Sequence, residues 1–240
     1  MLVGGSPALV ASRMVEAGEP IQVTGDPPRF VSRGGDKLAA ALDRFGVDVR
    51  GRRALDAGAA TGGFTDCLLQ AGAAEVVAVD VGRGQLAWKL RNDARVTLLE
   101  RTNVRGLHPD DIAGAVDVVA VDLSFISLVT VAPALVRCSI TDADVILLVK
   151  PQFEAGKARV GDGGVVRDPE VHRAVLREVR DGLVAAADLV PLAVMASPLR
   201  GADGNVEFLF HCRRTISVVV TDDALDACVD DAVARPGARR

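Results

Sequence analysis

One acidic residue and two glycines form the segment of this chain that is best suited to hold a small polar molecule. Asp56 ends an apolar run, and Gly58 and Gly62 follow in the pattern Asp-x-Gly-x-x-x-Gly. Glycine accepts unusual backbone angles and lets a ligand approach the main chain. A helix-like run follows, and its first turn offers free backbone N–H groups. Residues 55–64 therefore predict a strand, a ligand-binding turn and a helix, although packing alone can also require such glycines.

Charged residues stand in or after other apolar runs. Asp80 follows the second run, where an acid in nucleotide-binding sheets accepts hydrogen bonds from ribose hydroxyls. Asp122 and Lys150 follow the fourth and fifth runs. A lysine there is unusual because burying an ammonium group is costly, unless the strand has simply reached solvent. Glu207 interrupts a late apolar run, where it can also point outward from a strand.

The elements that must position these residues alternate between two kinds. Apolar runs predict strands, and patterns with helical spacing predict helices between them. Continuous apolar runs suit strands that are covered by helices on both faces, which favours a doubly wound, mostly parallel α/β sheet. We expect strands near 52–57, 75–80, 96–100, 116–122 and 144–150, and helices near 63–70, 85–91, 128–137 and 169–187, with a short helix opening at 109–112.

The last part of the pattern differs from the rest. Segments 189–197 and 205–212 both look like strands, and the loop between them is too short for a crossover helix. They are therefore predicted to pair antiparallel. Segment 152–168 is long, polar and rich in glycine, and it follows the strand that ends at Lys150. We interpret this segment as a substrate-gripping loop, because long loops in compact domains are usually functional.

We expect three regions along the chain. Residues 1–30 contain short β-like pieces broken by glycine and proline, residues 31–220 carry the α/β pattern, and residues 221–240 form a tail. The tail has a weak amphipathic helix, and its end is expected to fray.

Composition excludes several classes of function. The 240 residues carry a formal net charge of −4, which argues against indiscriminate nucleic-acid binding but permits a local basic face. The four cysteines and three histidines are widely scattered, so we predict neither a metal site nor a disulfide framework. No apolar run reaches the length of a membrane span, and the amino terminus does not look like a signal peptide. A cytoplasmic protein is the simplest interpretation.

Five motifs together resemble one family. Residues 32–38 (SRGGDKL), 56–64 (DAGAATGGF), 122–127 (DLSFIS), 150–154 (KPQFE) and 204–208 (GNVEF) occur in this order in the TlyA-type (haemolysin A) family. That family belongs to the FtsJ-like ribosomal RNA ribose 2′-O-methyltransferases, and the resemblance covers about residues 1–214. It implies a seven-stranded class I methyltransferase sheet that ends in an antiparallel hairpin.

The resemblance also implies site residues and a reaction. The FtsJ-like tetrad of lysine, aspartate, lysine and glutamate falls on Lys37, Asp122, Lys150 and Glu207. A ribose 2′-hydroxyl would attack the methyl group of S-adenosyl-L-methionine, with Lys150 taking or positioning the proton. The expected cofactor-binding residues are Asp56, Gly58, Ala59, Thr61, Gly62, Gly63, Asp80, Asn103 and Asp122, with Asp80 at the ribose and Asn103 near the adenine.

Family members usually begin with a helical RNA-binding domain of the alpha-L type, and this chain is expected to start within the last strands of that domain. The expected partners are ribosomal RNA or ribosomal subunits. Alternatives are a methyltransferase for a small molecule or protein, and an RNA-binding haemolysin-family protein with little catalytic activity. A nicotinamide-dependent oxidoreductase is disfavoured, because the glycine spacing is not Gly-x-Gly-x-x-Gly. A membrane-active haemolysin lacks a spanning segment in this sequence.

Overall fold

Two β-sheets organise the structure, a computed structural model that describes residues 1–10, 12–24, 27–214 and 218–234. A small antiparallel sheet near the amino terminus consists of β1 (Leu2–Val3), β2 (Ser6–Pro7) and β3 (Ile21–Gln22). The main sheet consists of β4 (Arg53–Ala57), β5 (Glu75–Val79), β6 (Val96–Leu99), β7 (Val116–Val121), β8 (Ser139–Val149), β9 (Val190–Ala196) and β10 (Phe208–Arg213).

Seven helices accompany these strands in the described residues. They are α1 (Gly34–Phe45), α2 (Gly63–Gln70), α3 (Trp88–Arg91), α4 (Leu128–Arg137), α5 (Pro151–Glu154), α6 (Pro169–Ala187) and α7 (Asp222–Ala234). Helix α7 confirms the helix expected in the tail. The end of the tail, for which fraying was predicted, lies outside the described residues.

The main sheet has the order β6-β5-β4-β7-β8-β10-β9. Strands β4 to β8 pair in parallel, and β10 runs antiparallel to both β8 and β9. This arrangement confirms the mostly parallel sheet and its closing hairpin. Because β5 and β7 lie on opposite sides of β4, the chain reverses its winding at β4, and the crevice at its carboxyl end is the usual ligand site of such sheets.

The sheet separates two apolar cores. In the central strands successive side chains point to opposite faces, as the two-residue period of a strand requires. Val119 and Leu147 pack on the face that α4, α6 and α7 cover. Val118 and Ile146 pack on the opposite face with α1 and α2. Burial on both faces explains why these strands read as continuous apolar runs.

Three elements differ from the prediction at their starts. Strand β10 begins at Phe208 rather than at residue 205, so Glu207 precedes the strand and is buried instead of pointing outward from it. Strand β8 begins at Ser139 rather than at residue 144, because Ser139 pairs with Val116 of β7 ahead of a register shift, and the exposed residues 140–142 lie between that pair and the apolar run. Helix α3 begins at Trp88 rather than at residue 85, because Ala87 keeps an extended conformation and its N–H donates to the carbonyl of Thr61 at 3.2 Å. Segment 152–168 holds the end of α5 and two single 3₁₀ turns, at 157–159 and 162–164.

A buried carboxylate at the amino edge of the main sheet binds several basic side chains. The buried carboxylate of Asp144 accepts hydrogen bonds from Arg52, His211 and Arg213, each at 2.7 Å. Burial alone would raise the pKa of Asp144, but these three donors outweigh it and hold the pKa well below its usual range. Among the helices that the structure describes, none is long and apolar enough to cross a membrane.

Candidate active site

The turn after β4 forms the floor of a site at the carboxyl edge of the sheet. Gly58 has a φ of +94°, and its N–H donates to the carbonyl of Val79 at 2.9 Å. A Cβ atom on Gly58 would overlap the carbonyl oxygen of Asp122. Only glycine therefore lets this turn pass beside the end of β7.

A cavity of about 510 Å³ opens above this turn. Its volume lies in the range that is usual for small-molecule sites. The ends of β4, β5 and β7 contribute most of its wall. The lining residues include Gly58, Ala60, Val79, Asp80, Gln85, Asn103, Asp122, Leu123, Phe125 and Ile126.

The carboxylate of Asp80 is fixed in the wall of this cavity. Its Oδ2 accepts a hydrogen bond from the N–H of Ala60 at 2.9 Å, and its Oδ1 accepts one from the N–H of Gly82 at 2.6 Å. A carboxylate oxygen has two lone pairs, so each oxygen can still accept a bond from a ligand hydroxyl. Asn103 lies in the same wall, and its Oδ1 accepts from the N–H of Arg105 at 3.0 Å.

A smaller cavity of about 90 Å³ adjoins the first and shares Gly58, Ala60 and Asp122 with it. Its other lining residues come from the turn and from the start of α1. They are Ser32, Gly34, Lys37, Ala59, Thr61, Gly63 and Phe64. Ala59, Thr61 and Gly63 thus lie in the wall of a cavity, as expected for residues near a ligand.

Two lysine–carboxylate pairs stand at this edge of the sheet. Lys37, in the first turn of α1, pairs with Glu207, which directly precedes β10. Lys150, directly after β8, pairs with Asp122, directly after β7. Lys150 also donates to the Oγ of Ser124 at 3.2 Å. The four residues of the predicted tetrad are therefore brought together in two pairs, and Lys37 and Asp122 line the same small cavity.

Two predicted cofactor residues lie behind the cavity walls. Gly62 has a φ of +96° and is the N-cap residue of α2. A Cβ atom at this position would overlap the side chains of Leu86 and Leu90. Asp56 is fully buried, and its Oδ2 accepts from the Oγ1 of Thr65 at 2.6 Å. Their part in cofactor binding stays a prediction.

The environment of Asp56 makes its carboxyl group a weaker acid than an ordinary aspartate. Burial raises the pKa of its carboxyl to about 7, and the charges of Asp122 and Asp80 add to the rise, while the bond from Thr65 opposes it. Its Oδ1 is buried and has no hydrogen-bond partner in the described residues. A group that donates a hydrogen bond or carries positive charge nearby would relieve this cost.

Phe125 is a residue that the sequence analysis did not select. It lines the larger cavity, its side chain is 89% exposed, and its φ is +64°. A bulky residue rarely adopts positive φ, and such strain clusters at functional sites. Its ring lies 4.7 Å from the ring of Phe153, which follows Lys150 by three residues. The motif placed Phe125 near the site, but only its conformation shows that the ring faces outward.

The strand order, the glycine turn and the carboxyl-edge cavities together define a class I methyltransferase fold. The model of the FtsJ-like methyltransferase family matches residues 30–214. The chain belongs to the FtsJ-like methyltransferase family. The matched range overlaps the predicted domain 31–220, whose boundaries remain a prediction.

Individual relatives agree with this family. The chain is 53% identical to the 16S/23S rRNA (cytidine-2′-O)-methyltransferase TlyA of Mycobacterium tuberculosis, over 97% of this chain and 85% of the relative. It is 39% identical to Hemolysin A of Brachyspira hyodysenteriae, over 76% of each chain. A solved Streptococcus thermophilus structure, described as a hemolysin, superposes with a TM-score of 0.83 at 41% identity, over 90% of this chain and 78% of that one.

Proposed function

We propose that this protein transfers a methyl group from S-adenosyl-L-methionine to a ribose 2′-hydroxyl of ribosomal RNA. The observation that carries the proposal is the pair of lysine–carboxylate contacts, Lys37 with Glu207 and Lys150 with Asp122, beside the glycine turn. The substrate is inferred from the relatives, which include an rRNA (cytidine-2′-O)-methyltransferase that is 53% identical.

The residues of the two cavities fit the cofactor. The larger cavity has the size of a nucleoside site, and Asp80 in its wall offers acceptors for the ribose hydroxyls. Gly58 lines both cavities, and because it has no side chain a ligand can approach its backbone there. The unpartnered Oδ1 of Asp56 lies behind the same turn. Asn103 lines the same cavity, and we assign it to the base. When bound, S-adenosyl-L-methionine supplies a methyl group on a positively charged sulfur.

The tetrad residues would hold the attacking hydroxyl. The Nζ of Lys150 is held by Asp122 and Ser124, so its direction is constrained before any substrate binds. An ammonium held in this way would donate to the 2′-oxygen and leave a lone pair of that oxygen free for attack. As the bond from oxygen to the methyl carbon forms and the carbon–sulfur bond breaks, the hydroxyl proton would pass to a carboxylate of the tetrad or to water. Alignment of this kind supplies a large share of a rate enhancement. Glu207 plays the orienting part for Lys37.

An exposed aromatic ring beside the tetrad supports a nucleic-acid substrate. Phe125 presents its ring to solvent at the mouth of the larger cavity, where a base would lie if its ribose faced Lys150. Stacking of a base on an aromatic side chain contributes about 1–3 kcal/mol. A small-molecule substrate does not require a ring at this position.

The decisive experiment is a map of ribose methylation. Ribosomal RNA, free or within isolated subunits, is incubated with the protein and isotopically labelled S-adenosyl-L-methionine. We expect label at one or a few riboses, in dinucleotides that resist alkali, located by mass spectrometry. Label on protein or on small molecules alone would contradict the proposal. RNA binding without transfer of label would instead favour the non-catalytic alternative. The expected compartment is the cytoplasm, where ribosomal RNA and subunits are found.

A further inference from the structure

Positive charge is distributed unevenly over the carboxyl edge of the sheet. Arg33, Arg167 and Arg200 form no ion pair within the part of the chain that the structure describes. At the opposite edge Arg52 and Arg213 both form ion pairs with Asp144. Arg33 contacts the backbone of Arg200, and Arg167 and Arg200 line one cavity, so these arginines offer a site to an anionic partner.

Two of these arginines line a third cavity, which we name the arginine pocket. Its volume is about 280 Å³, and it shares no residue with the two cavities of the active site. Arg167 approaches it from the segment before α6, and Arg200 approaches it from the loop between β9 and β10. The other lining residues are Val165, Val166, His172, Asp203, Gly204, Val206 and Val233.

Hydrogen bonds hold the wall of the arginine pocket in place. Asn205 accepts from the N–H of Val166 at 3.0 Å and donates to the carbonyl of Gly164 at 3.1 Å, so it joins the two loops that carry the arginines. His172 is 1% exposed, and its Nε2 lies 3.1 Å from the carbonyl of Val166.

The other ring nitrogen of His172 is unpartnered. Its Nδ1 is buried and has no hydrogen-bond partner among the described residues. A buried polar atom without a partner is costly, and a bound group or an ordered water in the pocket would reduce that cost. Because Nε2 donates to the carbonyl of Val166 and burial lowers the pKa of the ring, Nδ1 is an acceptor that an ordered water would satisfy, and Arg167 and Arg200 are the groups of this pocket that can donate to an anion.

The arginine pocket is joined to the tetrad through two short connections. Arg33 precedes Lys37 by one helical turn, and its guanidinium donates to the carbonyl of Arg200 at 2.6 Å. Val206, in the pocket wall, directly precedes Glu207. Arg33 and Val206 therefore connect the arginine pocket to the tetrad residues Lys37 and Glu207.

We propose that the arginine pocket binds a phosphodiester group of the RNA strand next to the ribose that is methylated. Guanidinium groups bind phosphate oxygens through paired N–H donors, and such contacts fix the register of a strand without reading its bases. This inference rests on the proposed function, since it takes RNA to be the substrate. It assigns Arg167 and Arg200 to the backbone of the RNA and Arg33 to the path between the pocket and the tetrad.

The test uses the full chain with Arg167→Gln and Arg200→Gln combined. Glutamine removes the charges but leaves the carbonyl of residue 200 that Arg33 binds. Binding of protein-free ribosomal RNA is measured by filter retention at several salt concentrations. We expect the dissociation constant to rise about tenfold near 0.1 M salt, and the slope of log affinity against log salt to fall by about 0.7–1.

Arg44→Gln is the matched control, because Arg44 is an exposed arginine near the far end of α1 and forms no ion pair within the described part of the chain. It should bind RNA as the parent protein does. An unchanged salt slope in the double variant would overturn the pocket, and so would an equal loss of affinity in the control. Methyl transfer to ribosomal RNA by the parent protein, measured separately, reports on the proposed function alone.

Discussion

At the scale of single residues, Lys150 is held in the candidate site by two partners. Asp122 and Ser124 both hold its Nζ, and it lies outside the polar wall that Asp80 and Asn103 form. We expect Lys150→Ala to lose methyl transfer by about 100-fold or more, the usual range for a positioned proton-transfer group. Binding of S-adenosyl-L-methionine, measured by calorimetry, should be retained.

Lys89→Ala provides the control for Lys150→Ala. Lys89 is an exposed lysine that pairs with Asp66 and lines neither active-site cavity. It should transfer methyl groups at the parent rate. Full turnover by Lys150→Ala would remove the lysine from the mechanism and leave alignment by the cavity as the source of the rate.

Asp56 predicts a dependence of stability on pH. Burial raises the pKa of its carboxyl to about 7 in the folded protein, against about 3.8 for the ordinary group. The folded state therefore binds more protons than the unfolded state between about pH 4 and pH 7, and folding loses stability as pH rises through that window. A shift of about three pKa units corresponds to an upper bound of about 4 kcal/mol.

Asp56→Asn removes this titration while keeping an acceptor for the hydroxyl of Thr65. We expect the variant to be more stable than the parent at pH 8, by up to about 4 kcal/mol, and close to the parent at pH 4. Denaturant unfolding at the two pH values measures the difference. If the two proteins differ equally at both pH values, Asp56 is charged in the folded state and another group stabilises it.

At the scale of elements, the loop between β9 and β10 positions one carboxylate of the tetrad. A Cβ atom on Gly201 would overlap the carboxylate of Glu207, which holds Lys37. Gly201→Ala should displace that carboxylate and lower kcat roughly tenfold, about 1.4 kcal/mol, with little change in the KM for S-adenosyl-L-methionine.

Gly106→Ala is the comparison for Gly201→Ala, since a Cβ atom at Gly106 meets open space. Steady-state kinetics of both variants give the kcat and KM values to be compared, and Gly106→Ala should keep the parent values. A loss that appears in KM for the cofactor instead of kcat would show that the loop shapes the cofactor cavity and not the tetrad.

Elements with strong local signals were predictable from the sequence. Helix α4 has the predicted bounds, 128–137. Ser127 caps its start, because the Oγ of Ser127 accepts a hydrogen bond from the N–H of Val129. Strand β8 starts earlier than predicted, because Ser139 pairs with Val116 of β7 across a register shift that the local residue pattern does not show. Tertiary pairing overrides local propensity at such ends.

The candidate site was predictable where a motif carried it. Lys37 and Glu207 are 170 positions apart in the sequence, and only the family resemblance linked them before the structure showed their contact. The exposure of Phe125 depends on a left-handed backbone angle, which no spacing in the sequence encodes. The contact of Arg33 with Arg200 depends on how the closing hairpin lies beside α1, and this is set by the whole sheet.

At the scale of the whole molecule, the two edges of the main sheet have different electrostatic roles. At the amino edge Asp144 collects Arg52, His211 and Arg213, and this cluster ties β4, β8 and β10 together. At the carboxyl edge Arg33 and Arg200 lie together without carboxylate partners in the described residues. The net charge of −4 therefore does not describe the face that would meet RNA.

Thermal unfolding of the whole fold can distinguish S-adenosyl-L-methionine from NAD as the cofactor, because a ligand that binds only the folded state stabilises the entire domain. At 100 times its dissociation constant, S-adenosyl-L-methionine should add about 2.7 kcal/mol. For a domain of this size that corresponds to a rise of roughly 5–10 °C in Tm. NAD at the same concentration should leave Tm unchanged, because the turn after β4 lacks the glycine spacing of dinucleotide sites.

Trp88 gives a second readout of the same binding. It is the only tryptophan of the chain, which has no tyrosine, and its side chain is 77% exposed at the start of α3. The N–H of the preceding Ala87 donates to the carbonyl of Thr61 in the turn after β4, so a ligand that orders this turn should change the fluorescence of Trp88. A rise in Tm with NAD but not with S-adenosyl-L-methionine would contradict the proposal that S-adenosyl-L-methionine is the cofactor. A fluorescence change at the concentration that raises Tm would place the stabilisation at the turn after β4.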